Sequence, residues 1–284
     1  MVPLPVGTSG KSAVQVAREA ALKAGEILVS RFDSVRKVSF KGRGNIVTDV
    51  DEAAEKKILS MLKAEFPGTS ILAEESGGPR GDAGWAWIVD PLDGTRNYAS
   101  GIPFFSTVIG LALDGEVTVG VNYDPMRDEM FEATRGQGAY LNGRPLEVSK
   151  KSRIGDCVLG MDLSYNDQGV INGIDVIRSI WPDMQTLRIM GSSALGIAYA
   201  ASGRTDLYFH HQLEPWDQVA GILLVEEAGG IITDRAGKRA GLYSDGLIAS
   251  NHTLHAEFMR KTEGLAWSQR NRLPPHATAD DPPE

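Results

Sequence analysis

Residues 107–123 carry the pattern that most limits what this chain can fold into. Two apolar runs, 107–113 and 116–123, flank Asp114-Gly115. An Asp-Gly link between such runs predicts a tight antiparallel hairpin. Segments 129–133 and 139–141, with Asn142-Gly143 as a further turn, continue the antiparallel pattern. Two short apolar strands, 70–73 and 85–89, come before it. Two helices open the chain. Residues 12–32 repeat Val14, Ala17, Ala21, Ala24 and Leu28 at helical spacing, and 51–66 set Ala54, Ile58 and Leu62 on one face until Pro67-Gly68 stops the helix.

From about residue 151 the pattern changes to alternation. Strands are expected at 157–163, 205–209, 231–233 and 247–249, and helices at 170–180, 193–202, 216–228 and 253–262, with Gly229-Gly230 closing the third helix. Such alternation argues an α/β layer. The expected organisation is a loose arm at 1–10, an α+β half with an antiparallel sheet at 11–150, an α/β half at 151–263, and a fraying polar, Pro-rich tail at 264–284. The Lys41-Gly42-Arg43-Gly44 loop reads as mobile, with Lys41 and Arg43 available to steer a phosphate.

With 284 residues and 42% hydrophobic content, the chain can build one large domain or two closely packed halves. Its 37 acidic against 29 basic residues give a net charge of -8. That balance argues against nucleic acid and against anionic membrane as partners. The single cysteine, Cys157, can form neither an intrachain disulfide nor a cysteine zinc cluster, which fits a reducing compartment. Residues 1–10 lack the pattern of a signal peptide, and the longest apolar runs, such as 102–113, are broken well short of a membrane span. The expected location is the cytoplasm.

Four segments put carboxylates at the ends of elements: Thr48-Asp49-Val50-Asp51, Ala73-Glu74-Glu75-Ser76, Asp90-Pro91-Leu92-Asp93-Gly94-Thr95 and Glu214-Pro215-Trp216-Asp217. Asp90 follows an apolar strand, and Pro91 keeps it out of the helical region. Asp90 and Asp93 can therefore point into one space across a tight turn. Gly94 permits a backbone conformation that other residues resist, and N–H groups near Gly94-Thr95 can face an anion if a helix starts there. Carboxylate oxygens without Cys or nearby His select hard cations such as Mg²⁺, Mn²⁺ or Ca²⁺. Clustered carboxylates need cations or protons to offset their repulsion. Two divalent ions roughly 3.5–4 Å apart would do so and would clamp a phosphoryl transfer. No covalent nucleophile with an adjacent base is apparent, so direct attack by water is the simpler chemistry.

The strings GTS-ILAEES, WIVDPLDGTRNY and EPWDQVAGILLVEEAGG resemble the signature motifs of the inositol monophosphatase family, over residues 12–262. These are Mg²⁺-dependent, lithium-sensitive phosphomonoesterases. The resemblance implies an αβαβα sandwich and a first metal held by Glu74, Asp90 and the Leu92 carbonyl. It implies a second held by Asp90, Asp93 and Asp217, and a third, weaker one leaning on Glu74, with Mn²⁺ able to replace Mg²⁺. Asp51 and Thr95 would activate the water, with Asp49 the lesser choice, and Gly94 and Thr95 would donate to phosphate. Gly191, Ser192 and Ser193 match the turn beside the substrate's hydroxyls. His210 and Glu214 lie where the alcohol part of the substrate is touched. Several family members carry Glu or Arg at the position of His210, a departure that bears on inositol specificity. A small phosphate monoester, led by inositol 1-phosphate, is the implied substrate, and a homodimer the implied assembly. Histidinol phosphate, fructose 1,6-bisphosphate and nucleotide 3′,5′-bisphosphates are rivals for the same site. A protein-interaction module with secondary catalysis is the alternative of another class.

Plainer readings compete residue by residue. Alone, Asp93 is a turn former and Asp51 a helix N-cap. Glu75 reads as a residue supporting the ligands or as solvated, Glu226-Glu227 as a solvated edge, Trp85-Ala86-Trp87 as packing, and His252 and His255 as surface residues.

Overall fold

The structure, a computed structural model, describes residues 3–33, 38–42, 45–80 and 83–269. Helix α1 (Ala13–Arg31) starts at Ser12, whose hydroxyl accepts from Gln15 while the Gln15 side chain accepts from the Ser12 N–H. That reciprocal cap satisfies two of the helix's orphan donors. A hairpin of β1 (Val38–Gly42) and β2 (Asn45–Thr48) leads into α2 (Asp49–Glu65).

Next come β3 (Ser70–Ala73), β4 (Trp85–Asp93), the short helix α3 (Thr95–Ala99), β5 (Ser106–Leu113), β6 (Glu116–Asp124), β7 (Glu129–Thr134), β8 (Ala139–Leu141) and β9 (Arg144–Pro145). Strands β3 to β9 form one seven-stranded sheet in chain order. Only the β3–β4 pair is parallel. At the β5–β6 turn Asp114 and Gly115 take φ +50° and +80°, and Leu113 pairs with Glu116. Two consecutive positive φ values mark the hairpin turn that the Asp-Gly dipeptide favours.

The second sheet orders its strands β11 (Thr186–Ile189), β10 (Val158–Met161), β12 (Leu207–His210), β14 (Leu247–Ser250) and β13 (Ile231–Thr233). The helices between them are α4 (Asp167–Ile180), α5 (Ser193–Ala201), α6 (Pro215–Glu227) and α7 (His252–Lys261).

Strand alternation sets the layers. In β4, Trp87 and Val89 face α1 and α2, whereas Ala86 and Ile88 face α5 and α6. Side chains two apart share a face, so one buried strand feeds two cores. The far side of the α5–α6 layer meets Tyr208, Leu247 and Ala249 of the second sheet. Leu159, Phe209 and Ile248 on that sheet's other face pack with Val176 of α4 and Phe258 of α7. The result is the expected αβαβα sandwich. Helix α6 can lie tight on the first sheet because β6 offers Gly120, where a Cβ would stand 2.8 Å from the Ala220 Cα.

Several expectations need correction. Residues 3–10 are not loose: Thr8 donates to the Ala64 carbonyl at 3.0 Å and Ser9 to Glu65 at 2.8 Å. The start of the expected tail is also anchored, with Trp267 only 1% exposed among Phe209, Phe258 and His211. Residues 270–284 lie outside the described residues, as do Arg43, Gly44 and the Lys41 side chain. Glu226 and Glu227 are not a solvated edge. Glu226 pairs with Arg135 and Arg239, and Glu227 accepts from the Gly136 and Gly138 N–H groups. They lock α6 onto the β7–β8 turn. His255 is buried, with Nε2 2.7 Å from the Thr233 hydroxyl. Among the described residues no helix is long and apolar enough to cross a membrane.

Candidate active site

Residues three apart on a regular strand face opposite sides of a sheet. In β4 the pairing with β5 slips between Asp90 and Asp93. This irregularity re-aims the strand end, as bulges do. The Asp90 carboxylate accepts from the Leu92 N–H at 2.9 Å and the Pro91 carbonyl accepts from the Thr107 hydroxyl at 3.0 Å, so the bend is fixed from both sides. Gly94 follows with φ +90°, and a Cβ there would stand 3.1 Å from the Phe104 carbonyl oxygen.

Asp217 arrives from the first turn of α6, where Pro215 occupies a position that needs no N–H. Its carboxylate accepts from the Glu214 N–H at 2.8 Å. One ligand atom each from Asp90, Asp93 and Asp217 lies within 4.8 Å of the others. Glu74, just after β3, hydrogen-bonds Asp90. Burial, then the charges of Glu74, Asp93 and Asp217, pushes the Asp90 carboxyl well above the usual carboxylate range. Burial and the Asp93 charge do the same to Asp217. Burial also raises Asp93, although hydroxyl donors oppose it. Oxygen donors in such number, close together and hard to ionise without a counter-charge, suit a hard divalent cation.

Beside them Asp51 is fully buried. It is not the N-cap of α2; Thr48 is, and Asp51 accepts from both the N–H and the hydroxyl of Thr48. Its other oxygen lies 3.1 Å from Thr95 Oγ1, which also stands 2.9 Å from the Leu92 carbonyl oxygen. The single hydroxyl proton of Thr95 can go to either. Asp49 points away and faces Arg31 at 3.8 Å.

The turn residues expected to meet substrate bond to Asp93 in this structure. Ser192 donates to Asp93 Oδ2, Ser193 to Oδ1 at 2.9 Å, and the Ala194 N–H reaches Oδ2 at 3.2 Å. Gly191, just before them, donates its N–H to Asp162. His210 ends β12 almost wholly buried, its Nδ1 accepting from the Gln212 N–H at 3.2 Å. Burial, then the charge of His211, holds its imidazole down at about 4, so it is neutral at pH 7. Glu214 is half-buried at the α6 N-terminus.

Two buried acids that support the site's turns escaped the sequence reading. Glu55 accepts from the Glu75 and Ser76 N–H groups at 2.8 and 2.9 Å and so holds the turn that carries Glu74. Asp162 follows β10 and accepts from Met190, Gly191 and Tyr208. Its place at a strand's carboxyl end, the same context as Asp90, was the available signal.

The model of the inositol monophosphatase family matches residues 11–266. The chain belongs to this family. Nus factor SuhB of Salmonella typhimurium is 39% identical over 240 residues, 83% of this chain and 90% of that protein. Inositol-1-monophosphatase of Mesorhizobium japonicum is 37% identical over 246 residues, 85% of this chain and 92% of that protein. Among solved structures, extragenic suppressor protein suhB of Bartonella henselae superimposes with a TM-score of 0.84 at 38% identity, over 88% of this chain and 98% of that chain. Membership in the inositol monophosphatase family makes this chain a phosphomonoesterase, with a small phosphate compound as its substrate.

Proposed function

We propose that the chain hydrolyses small polyhydroxylated phosphate monoesters, with inositol 1-phosphate foremost, by Mg²⁺-assisted attack of water. The convergence of Asp90, Asp93 and Asp217 within 4.8 Å carries this reading. Asp90, Asp93 and Asp217 would hold one ion; Glu74, Asp90 and the Leu92 carbonyl would hold another, and Glu74 would also support a third, weaker one. Mn²⁺ would serve in place of Mg²⁺. Bound ions would supply Lewis-acid polarisation of the phosphoryl group and a stronger nucleophile.

This chain's own residues handle orientation and the proton. Gly94 and Thr95 open α3 and would offer backbone N–H groups to phosphate. The Thr95 hydroxyl can donate to Asp51 while accepting from a water on its open side. As that water attacks phosphorus and the bond to the ester oxygen breaks, its proton would pass to Thr95 Oγ1 and the Thr95 proton to Asp51 Oδ1, while the departing alkoxide would take a proton from solvent. Burial raises the Asp51 carboxyl, which makes it the better base. Ser192, Ser193 and Glu214 would then be the groups nearest the alcohol. His210, neutral and buried, would shape that wall without adding charge.

The test is phosphate release from inositol 1-phosphate, histidinol phosphate, fructose 1,6-bisphosphate and a 3′,5′-bisphosphate nucleotide, with and without Mg²⁺. Mg²⁺-dependent release led by inositol 1-phosphate is expected, with inhibition by millimolar lithium. Inactivity on all four would end the hydrolase reading. A homodimer in the cytoplasm, without nucleic acid or membrane partners, completes the proposal, and size-exclusion chromatography checks its assembly. A second role as a protein-interaction module is favoured by the likeness to proteins named Nus factor SuhB. An Asp93→Asn chain that loses turnover yet still supports growth in cells lacking the natural protein would point to that role.

A further inference from the structure

We propose that Asp162 is a positioning residue for the acidic site, setting the 190–193 turn so that α5 presents its first donors to Asp93. The inference rests on the reading of Asp93 as a metal ligand and deepens it.

Asp162 is 7% exposed and lies just beyond β10, between the neighbouring strands β11 and β12. One oxygen, Oδ1, accepts from the Met190 N–H at 2.8 Å and from the Gly191 N–H at 2.6 Å. The other, Oδ2, accepts from the Tyr208 hydroxyl of β12 at 3.0 Å. The same turn is gripped from the first sheet's side. Asn97 of α3 donates through Nδ2 to the Met190 carbonyl at 2.7 Å and to the Phe104 carbonyl at 2.8 Å. Residues 190–191 are thus held at their N–H groups by the second sheet and at a carbonyl by the first.

Immediately C-terminal to this turn stand the donors to Asp93: Ser192, Ser193 and the Ala194 N–H. These three fix both Asp93 oxygens. Asp93 therefore takes its orientation from a turn whose own place depends on Asp162. A metal ligand held by supporting hydrogen bonds loses affinity when the support moves, by roughly 10–100-fold in metal sites.

Position and charge make opposite demands at residue 162. Asp162→Asn keeps an oxygen for both N–H groups and can donate to the Tyr208 oxygen, but has no charge. Asp162→Glu keeps the charge and displaces the carboxylate by one methylene. Mg²⁺ binding to the purified full chain, measured by calorimetry, separates the two without needing turnover. Asp162→Asn is expected to bind Mg²⁺ within about threefold of the natural chain, and Asp162→Glu about tenfold or more weakly. If the Glu variant does not fold, Asp162→Ser, too short to span both N–H groups, carries the same expectation. Weakening in the Asn variant with the Glu variant near the natural strength would assign Asp162 an electrostatic role and overturn the inference, and equal weakening in both would overturn it as well. Wild-type binding in all variants, or no Mg²⁺ binding by the natural chain, would overturn it too. A natural chain that binds Mg²⁺ but hydrolyses no phosphate monoester would sink the phosphatase reading alone.

Discussion

Asp51 and Thr95 are 44 residues apart in sequence and meet at 3.1 Å. Their contact is the proposed route for the proton of the attacking water. Thr95→Ala should lower kcat by roughly 10²–10⁴, the range for losing positioned proton transfer, while Thr95→Ser keeps most of it. Steady-state kinetics on inositol 1-phosphate would check both, and an unchanged kcat in the Ala variant would remove Thr95 from the chemistry. Glu55 offers a test of stability. Its buried carboxylate takes two backbone N–H groups of the turn after β3, so Glu55→Ala leaves both without a partner. Unfolding free energy should fall by roughly 2–4 kcal/mol, read from urea titration. These residues also mark what the sequence disclosed. Asp90, Asp93 and Asp217 were legible because each sits in a short motif whose turn chemistry shows in neighbouring Pro and Gly. Glu55 and Asp162 were not, because their partners are backbone N–H groups 20 to 29 residues away that no local pattern names.

Among the elements, β4 and α6 do most to build the site. The slip in β4 turns Asp93 to the same side as Asp90, and α6 carries Asp217 in its first turn. Helix α6 can hold that turn in place only while it lies close to β6. A side chain at Gly120 would drive into the α6 backbone at Ala220, which cannot rotate away. Gly120→Val should therefore destabilise the fold by roughly 1–3 kcal/mol or more through overpacking. It should also weaken Mg²⁺ binding, although it touches no acidic residue. Calorimetry on the folded fraction distinguishes this from simple unfolding, and Mg²⁺ binding at the natural strength would show that Asp217 does not depend on the seat of α6. Elements with strong periodicity or a definite turn were readable, among them α1, α2 and the β5–β6 hairpin. Strands β1, β2, β9 and β11 were not. They are short, β9 and part of β11 are exposed, and the apolar–polar alternation in β1 and β11 spans too few residues to distinguish a strand from a loop. Strand β11 exists because β10 supplies a partner edge, which is a tertiary fact.

On the scale of the whole molecule, acid and base are distributed for different ends. Five of the acids behind the -8 net charge (Asp51, Glu74, Asp90, Asp93, Asp217) belong to one proposed site, where bound cations would reverse the sign of the field for a small phosphate. The buried histidines serve closure instead. His211 Nε2 lies 3.0 Å from Asn172 Nδ2 and 3.1 Å from Arg235 Nη1, both donors, so that nitrogen must carry a lone pair. Arg235 in turn donates to the carbonyls of Trp267 and Gln269, which fastens the C-terminal segment against α4 and β12. A proton on Nε2 would break two hydrogen bonds and set a second cation beside Arg235. Burial and then Arg235 accordingly hold His211 at about 4, while burial and His211 do the same to His210. In the unfolded chain both take a proton near 6.5. Between those values the unfolded state binds more protons, so stability is full above pH 6.5 and falls as pH drops toward 4. Each histidine contributes up to about 1.4 kcal/mol per pH unit. Asp162, raised by burial to about 6, works in the opposite direction, so the histidine contribution has to be read as a difference between two chains. His211→Phe should be less stable at pH 7, because Asn172 and Arg235 lose their acceptor, yet its urea midpoint should decline less between pH 6.5 and 4.5 than that of the natural chain. Parallel declines would mean that His211 already carries its proton in the folded molecule, and the C-terminal segment would then be held by something other than a neutral imidazole.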